Sequence, residues 1–435
     1  MNHNNEYIIK LANDNNVKFI RLWFTDILGF LKSFAITIEE LEDALVEGVR
    51  FDGSTLHGHS RHDEIEMLAM PDPSTFKILP WRPKEDSVAR MFCDINTIDM
   101  KPYEGDSRYI LKKNLKKAAD KGLIFYTGPE IEFFFFKSSD KPEILDQGGY
   151  FDLTPLDLAA DYRRQTVLTL EEMGIDVISS HHEVSHSQHE IDLRHEDALT
   201  TADNIMSFRL ITKEIGQQNN IYASFMPKPI ANQNGSGMHI HQSLFENDIN
   251  IFFDSKQDHF LSEKGKQYTA GILKHSHDMF AITNQWINSY KRLVHGYEAP
   301  SHATWSFKSQ TSLIRIPDCR PGKPNSMRVE LRNPDPACNP YLAFSVMLAA
   351  GLEGIEKKYN LPDDLEDEKI NKDSRVASLP SQLHEALQKF ESSTLMKDTL
   401  GEIIHKSFIE NKQRELKKFN SVITDYEISN YLSVL

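Results

Sequence analysis

Two glutamates, Glu130 and Glu132, stand in Gly128-Pro129-Glu130-Ile131-Glu132, and the run Phe133-Phe134-Phe135-Phe136 follows them. On a strand, residues i and i+2 share a face, so the two carboxylates would lie side by side at the head of a segment that wants burial. Such neighbours repel one another unless a cation lies between them, because burial of uncompensated charge costs several kcal/mol. Read alone, the pair is a strand end with two solvated acids. A second run, His181-His182-Glu183-Val184-Ser185-His186-Ser187-Gln188-His189-Glu190, is rich in imidazole and carboxylate. Its His182-Glu183-Val184-Ser185-His186 matches the HExxH spacing by which a helix presents two zinc-binding histidines beside a general base. The surroundings favour a strand instead: Asp176-Val177-Ile178-Ser179-Ser180 is β-prone, and His189, Ile191 and Leu193 alternate with Glu190, Asp192 and Arg194. Without a helix the two histidines cannot converge. That leaves Glu183 and Glu190 as further acidic ligands and gives the histidines hydrogen-bonding or structural roles.

Asn232-Gln233-Asn234-Gly235-Ser236-Gly237-Met238-His239-Ile240-His241-Gln242-Ser243 combines a glycine turn with His239 and His241 on one strand face. It fits neither GxxxxGK[ST] nor GxGxxG, so it is no ordinary phosphate loop. Cations follow in Lys291-Arg292, Arg315, Arg328 and Arg332, with Glu298 in Gly296-Tyr297-Glu298-Ala299-Pro300 and Glu330 between two of the arginines. Arg328-Val329-Glu330-Leu331-Arg332 is either a surface ion-pair ladder or a grouping of guanidinium and acidic ligands that suits a polyanionic nucleotide held with metal ions.

The elements that must position these groups can be sketched from pattern. Lys18 to Phe24 alternates as a strand, a helix is predicted from Thr37 through Val46, and Pro71 to Pro83 reads as an extended connection. Turn-formers at 102–106 precede a Lys-rich helix at 108–121, which divides the chain near residue 105. Beyond it, strands and helices mix without a strict βαβ rhythm, predicting an α+β domain. The acid-rich stretch 362–373 reads as a solvated loop. The 435 residues carry 49 Lys and Arg against 64 Asp and Glu, a net charge of -15, which disfavours nucleic acid as a partner. No apolar run reaches membrane-spanning length, so no membrane partner is expected and a cytoplasmic location is. Three scattered cysteines, Cys93, Cys319 and Cys338, make neither a disulfide framework nor a thiolate zinc site, leaving His and carboxylates to hold any metal.

In this order the motifs resemble the glutamine synthetase family, type I, over almost the whole chain. The resemblance rests on Phe51-Asp52-Gly53-Ser54, Gly128 to Phe134, Gly148-Gly149-Tyr150-Phe151-Asp152, His181-His182-Glu183, Gln188-His189-Glu190, Met226 to Pro229, Asn234 to His239, Tyr290 to Pro300 and Arg328 to Tyr341. It implies an N-terminal β-grasp domain (1–105), a larger α+β catalytic domain (106–435), and a homo-oligomer, a dodecamer of two hexameric rings with sites between neighbours. It further implies that Glu132, Glu183 and Glu190 hold one Mg²⁺ or Mn²⁺ and Glu130, His239 and Glu330 a second. Asn234, Gly235, Arg292 and Arg332 would hold L-glutamate, and His241, Ser243, Arg315 and Arg328 would contact ATP. Asp52 from an adjacent subunit would deprotonate the amine with Glu183 and Tyr150 beside it, Glu298 would sit on a flap, and Arg292 and Arg315 would act at the transferred phosphate. The implied activity is ATP-dependent joining of an amine to the glutamate γ-carboxylate through γ-glutamyl phosphate.

Departures bear on the acceptor. Gln310 in Ser309-Gln310-Thr311 stands where the family usually has arginine, with Lys308 nearby; Ser185-His186-Ser187 replaces a common Ala-Pro-Gly, and His57, His59 and His295 are further changes. Arg21 to Ser33 and Thr283 to Trp286 resemble the paralogues that join glutamate to alkylamines, polyamines or arylamines, making a γ-glutamylamide. Ammonia as acceptor, giving glutamine, is the rival, and a catalytically weak nucleotide- or glutamine-binding regulatory ring is a third reading. Residues 362–380 contain no tyrosine, so control by adenylylation is not expected, and Arg61 aligns with a feedback-inhibition arginine of some relatives.

Overall fold

The computed structural model describes residues 3–58, 64–294, 296–320, 322–364 and 376–435. The N-terminal quarter builds a sheet of β1 (Val17–Thr25), β2 (Leu31–Thr37), β3 (Val49–Asp52), β4 (Glu66–Pro71), β5 (Lys77–Ile78) and β6 (Ser87–Thr97), in the order β2-β1-β6-β4-β3 with β5 on β6. β1 and β6 run parallel and the other pairs antiparallel. The helix predicted from Thr37 begins four residues later: a 3-10 turn (Ile38–Glu40) leads into Leu41–Glu47, which buries Leu41, Ala44 and Leu45 on one stripe. The proline-rich connection is not wholly extended, since it holds a 3-10 turn (Pro73–Thr75) and β5.

Asp106 caps the Lys-rich helix, Ser107–Ala119, through its carboxylate to the Arg108 N–H. Arg108, buried, then fastens the two sheets together. Its guanidinium meets Asp72 at 2.8 Å and Asp94 at 2.6 Å on the N-terminal side, and Asp203 at 2.9 Å on the long helix Ala198–Gln218.

The second sheet has ten strands: β7 (Leu123–Phe136), β8 (Val177–His182), β9 (Gln188–Leu193), β10 (Glu196–Asp197), β11 (Tyr222–Ser224), β12 (Met238–Glu246), β13 (Ile249–Asn250), β14 (Trp305–Ser306), β15 (Ile314–Arg315) and β16 (Val329–Leu331). Its order is β14-β15-β16-β12-β7-β9-β8. β7 is central, and parity along it decides the chemistry. Phe133 and Phe135 sit edge-on to each other, and Phe133 also meets Phe208 of the long helix and Phe225, forming the core. The even positions, Glu130 and Glu132, point to the opposite face. The mixed, largely antiparallel sheets with helices packed against them are the α+β architecture expected, a β-grasp domain followed by a larger catalytic domain.

The HExxH reading is corrected here. Residues 183–187 form the turn between β8 and β9, not a helix, so His182 and His186 share no helical face. Of the acid-rich stretch, 362–364 is irregular, and 365–375 lies outside the described residues. Among the described residues, no helix is long and apolar enough to cross a membrane.

Candidate active site

Cross-strand register stacks the polar residues into three rungs across the sheet. On the first, Arg315, Glu330 and His241 stand opposite one another on β15, β16 and β12, and Gly128 of β7 completes the row. On the second, His239, Glu130, Asp192 and Ser179 run across β12, β7, β9 and β8. The third carries Glu132, Glu190 and His181 on β7, β9 and β8. Directly opposed side chains have Cβ atoms about 5 Å apart, so each rung delivers its groups to a common point.

The rungs form the floor of a cavity of 590 Å³ lined by Glu130, Glu132, Tyr150, Glu183, Glu190, Asn234, Gly235, His239, Arg292, Glu298, Arg315 and Arg332, all of them singled out in the sequence. Glu330 is buried at its edge, with Arg315 at 2.6 Å from one oxygen and Arg332 closely paired to the other. His241 Nε2 lies 2.6 Å from Glu130, and Arg328 Nε donates to His241 Nδ1 at 3.2 Å. Ser243 is buried one step further along β12. Asp52 does not join them within one chain: it closes β3, and its carboxylate accepts from the Ser54 and Ile65 N–H groups. His57 bridges Tyr103 and Ser407, and neither it nor His186 lines the cavity. His59, Arg61 and His295 lie outside the described residues. Gln310 lines the cavity, whereas Lys308 does not.

Eight cavity-lining residues carried no specific role in the sequence reading, among them Gln188, Asp192, His181 and Tyr297. Gln188 Nε2 donates to Glu132 at 2.9 Å and to the Gly235 carbonyl at 3.0 Å, tying an acid to the glycine turn. Asp192 shares the cavity face of β9 with Gln188 and Glu190, a relationship that i, i+2, i+4 spacing carried. His181 Nε2 sits 2.9 Å from Glu183, and the ring of Tyr297 lies 3.8 Å from Lys228 Nζ.

The glycine turn is pressed against its neighbours. A Cβ on Gly235 would come within 2.2 Å of the Pro227 carbonyl oxygen, and one on Gly237 within 2.4 Å of the Arg292 guanidinium. Arg292 is fixed from behind by donating to the Asn333 carbonyl at 2.8 Å and the Arg332 carbonyl at 3.1 Å. Asn234 Nδ2 donates to Glu298 at 2.7 Å, linking the turn to the 296–300 segment.

Charge is distributed unevenly. Burial and the neighbouring Glu183 charge push Glu132 up to about 8, and burial with Glu132 and Asp192 raises Glu190 well above the carboxylate range. Burial opposes the ionisation of Glu130 too, yet His241 and His239 hold it well down, and Arg332 outweighs burial at Glu330 to keep it lowered. Burial and Arg332 lower His239 to about 4, so it is neutral and able to ligate. Glu130, His239 and Glu330 present ligand atoms within 4.8 Å of one another, as do His181, Glu183 and Glu190. Oxygen-dominated sets with mutually repelling carboxylates suit hard divalent ions such as Mg²⁺ and Mn²⁺. A larger cavity, 990 Å³, is lined mainly by apolar side chains such as Leu28, Phe225, Trp286 and Phe419 and contains none of these acids.

A β-grasp-type sheet joined to a sheet that gathers acidic ligands, imidazole and arginines in one cavity defines a metal-dependent enzyme of nucleotide chemistry. Residues 16–98 match the family described as "Glutamine synthetase, beta-Grasp domain" and residues 104–431 "Glutamine synthetase, catalytic domain". Curated relatives include "Glutamine synthetase" of Mycolicibacterium smegmatis, 47% identical with 100% of both chains covered, and that of Methanosarcina mazei, 46% identical over 99% of this chain and 98% of its own. Among solved structures, a "GmaS/ADP complex" superposes with a TM-score of 0.89 at 28% identity, covering 98% of this chain and 99% of that one. A Plasmodium falciparum glutamine synthetase superposes with a TM-score of 0.90 at 25% identity, covering 99% of each. The chain belongs to the glutamine synthetase family. It is an ATP-dependent ligase that forms a carbon–nitrogen bond between glutamate and ammonia or an amine, with Mg²⁺ or Mn²⁺.

Proposed function

We propose that the acceptor is an organic amine, an alkylamine, polyamine or arylamine, and the product a γ-glutamylamide. The supporting observation is the wall beside Glu183. Tyr150 and Phe151, 55% and 61% exposed, pack with tilted rings at 4.0 Å and meet the His181 ring at 5.5 and 4.8 Å, while His181 holds the Glu183 carboxylate. A bare ammonium ion needs only carboxylates, whereas a substituted one brings carbon that ring faces shelter while still attracting the charge.

Glu132, Glu183 and Glu190 hold one divalent ion in this reading, and Glu130, His239 and Glu330 the other; bound there, the pair neutralises phosphate charge. Arg292, Arg332, Asn234 and Gly235 hold glutamate so that its γ-carboxylate faces the ATP γ-phosphate, while His241, Ser243, Arg315 and Arg328 position the nucleotide. The γ-carboxylate oxygen attacks phosphorus, ADP leaves, and Glu298 closes over the γ-glutamyl phosphate. An ammonium group has no lone pair, so Asp52 of a neighbouring subunit takes its proton beside Glu183 and Tyr150. Burial opposes ionisation of Glu183, but hydrogen bonds from His181 and the Val184 N–H keep it lowered and anionic, able to draw in the cation. The amine nitrogen then attacks the γ-carbonyl carbon and phosphate departs. A dodecamer of two six-membered rings, a domain boundary near residue 105 and a cytoplasmic location belong to the same reading.

Ammonia is the second reading, favoured by the plain name glutamine synthetase on relatives that match over their full lengths. Phosphate release from ATP and glutamate, measured with ammonia against a panel of alkylamines, polyamines and arylamines, separates them. Best turnover with ammonia rejects the first reading. Nucleotide binding without turnover on any acceptor favours a regulatory ring.

A further inference from the structure

The turn between β8 and β9 makes more hydrogen bonds to distant loops than a connection of its length requires. Ser185 Oγ donates to the Asn234 carbonyl at 3.2 Å, reaching the glycine turn. His186 Nδ1 lies 3.1 Å from the Gly148 carbonyl, a contact that requires the proton on that nitrogen. Ser187 Oγ accepts from the Leu145 N–H at 2.6 Å and the Asp146 N–H at 3.1 Å, and the Ser187 N–H donates to Asp146 Oδ1 at 3.0 Å. Ser187 is fully buried and adopts φ +62°, a left-handed conformation that glycine would take without strain. A serine there is explained by its hydroxyl, which satisfies two backbone donors that a glycine would leave orphaned.

His186 and Ser187 thus both hold the segment 145–158, which carries Tyr150 and Phe151. Asp146 is its anchor: besides Ser187, it meets His182 Nε2 at 3.0 Å and accepts from the Leu158 N–H at 3.2 Å. The segment passes so close that a Cβ on Gly148 would stand 2.7 Å from His182, and the Phe151 N–H donates to the His182 carbonyl at 3.1 Å. Asp146, His182 and His189 are also near enough to share a cation, but Arg163 donates to His189 Nδ1 at 3.0 Å. A guanidinium is always a donor, so His189 Nε2 must keep its proton and cannot ligate. Asp146 and His182 form a hydrogen-bonded pair, with the His189 ring edge-on to His182 and tied to Arg163.

We propose that Ser185-His186-Ser187 is a positioning element for the acceptor amine: it staples the Tyr150–Phe151 segment and the Asn234 turn to the turn that carries Glu183. The inference rests on the reading of Tyr150 and Glu183 as the acceptor wall. Neither His186 nor Ser187 touches the phosphate-side residues, so their loss moves the acceptor subsite alone.

The test uses Ser187→Gly, which keeps the backbone conformation, and His186→Ala with His186→Asn as the conservative variant able to donate again. Both disrupting variants should raise KM for the acceptor about tenfold, with KM for ATP within about twofold and Mn²⁺ affinity unchanged, and His186→Asn should recover most of the loss. Hydrogen exchange supplies a readout independent of turnover: amides of 145–158 should exchange faster in both variants while those of β7 do not. A parallel rise of every KM, or unchanged exchange at 145–158, overturns the proposal. Absence of turnover in the unsubstituted chain would instead tell against the ligase reading of the acceptor, and the exchange experiment would still decide the staple.

Discussion

Glu132 and Glu190 face each other across β7 and β9 on a single rung of the sheet, with Glu183 lining the same cavity. Like charges directly opposed destabilise a sheet unless something neutralises them. In the metal-free protein one proton shared by the pair does so: burial and Glu183 lift Glu132 to about 8, and burial with the Glu132 charge raises Glu190 well above the carboxylate range. A divalent ion bound to this set needs the carboxylates ionised and must expel that proton. Calorimetric titration with Mn²⁺ in buffers of different ionisation heat should show about one proton released per ion at pH 7, with affinity rising as pH climbs towards 8 and levelling beyond. Glu132→Gln should reduce that release, since burial alone still raises Glu190, and weaken binding by about a hundredfold or more. Affinity independent of pH between 6 and 8 would contradict the shared proton.

Asp106 gives the junction of the two sheets a pH signature. Burial and the Asp94 charge raise it to about 7, from an ordinary 3.8. A raised carboxyl holds its proton in the folded chain after the unfolded chain has lost it. Its contribution is therefore fully present below about 4, falls as pH rises towards 7 and is constant above, at a steepest slope of about 1.4 kcal/mol per pH unit. An asparagine in its place would still cap the helix but could not titrate. The difference in melting temperature between the natural chain and Asp106→Asn should drift with pH from 5 to 7 in the direction of a weakening natural chain, and should be flat from 7.5 to 9.

The glycine turn offers a steric prediction. A Cβ at position 235 would lie 2.2 Å from the Pro227 carbonyl oxygen, a backbone atom with no rotamer to yield. Gly235→Ala must therefore shift the turn and with it Asn234, while Glu130, His239 and Glu330 stand on other segments. KM for glutamate should rise by about tenfold or more, with Mn²⁺ binding at the Glu130 set preserved. Equal loss of both would mean that the turn and the rungs move as one body.

Much of this site was legible along individual strands. The phenylalanine run after Glu132 marked β7 as central, and alternation put His239 with His241 and Glu190 with Asp192 on one face. The same alternation included Gln188, which was passed over because an amide does not announce chemistry as an acid does. Register between strands was not legible. The rungs exist because β12 and β16, more than a hundred residues beyond β7 in the chain, join the sheet on one side of it and β9 on the other, and local periodicity carries no information about such pairing. The assignment of acids to two ion sites came from the family resemblance, not from spacing. His57 drew attention as a departure near Asp52, but the 3-10 turn that holds it packs against the long helix Thr394–Asn420, whose Ser407 engages Nδ1, while Tyr103 engages Nε2. Asp52 itself lies in the N-terminal sheet, so a single chain could not display the whole of the expected site.

Gln310 lies where the resemblance expects an arginine at the transferred phosphate, and it does line the cavity beside Arg315 and Arg332. Its backbone carbonyl accepts from Arg332 Nε at 2.8 Å, so the position is anchored whatever its side chain. A neutral amide there stabilises developing phosphate charge less than a guanidinium aimed at the same point, and one such donor is worth about 3 kcal/mol of barrier. Part of that gain would be offset, because a new cation beside Arg315 and Arg332 repels them until the anionic substrates arrive. Gln310→Arg should accordingly raise kcat for phosphate release by about tenfold and leave KM for the acceptor unchanged, with Gln310→Lys falling between. A variant no faster than the natural chain would mean that phosphate charge is already met by Arg315 and Arg332, and that Gln310 answers to the acceptor.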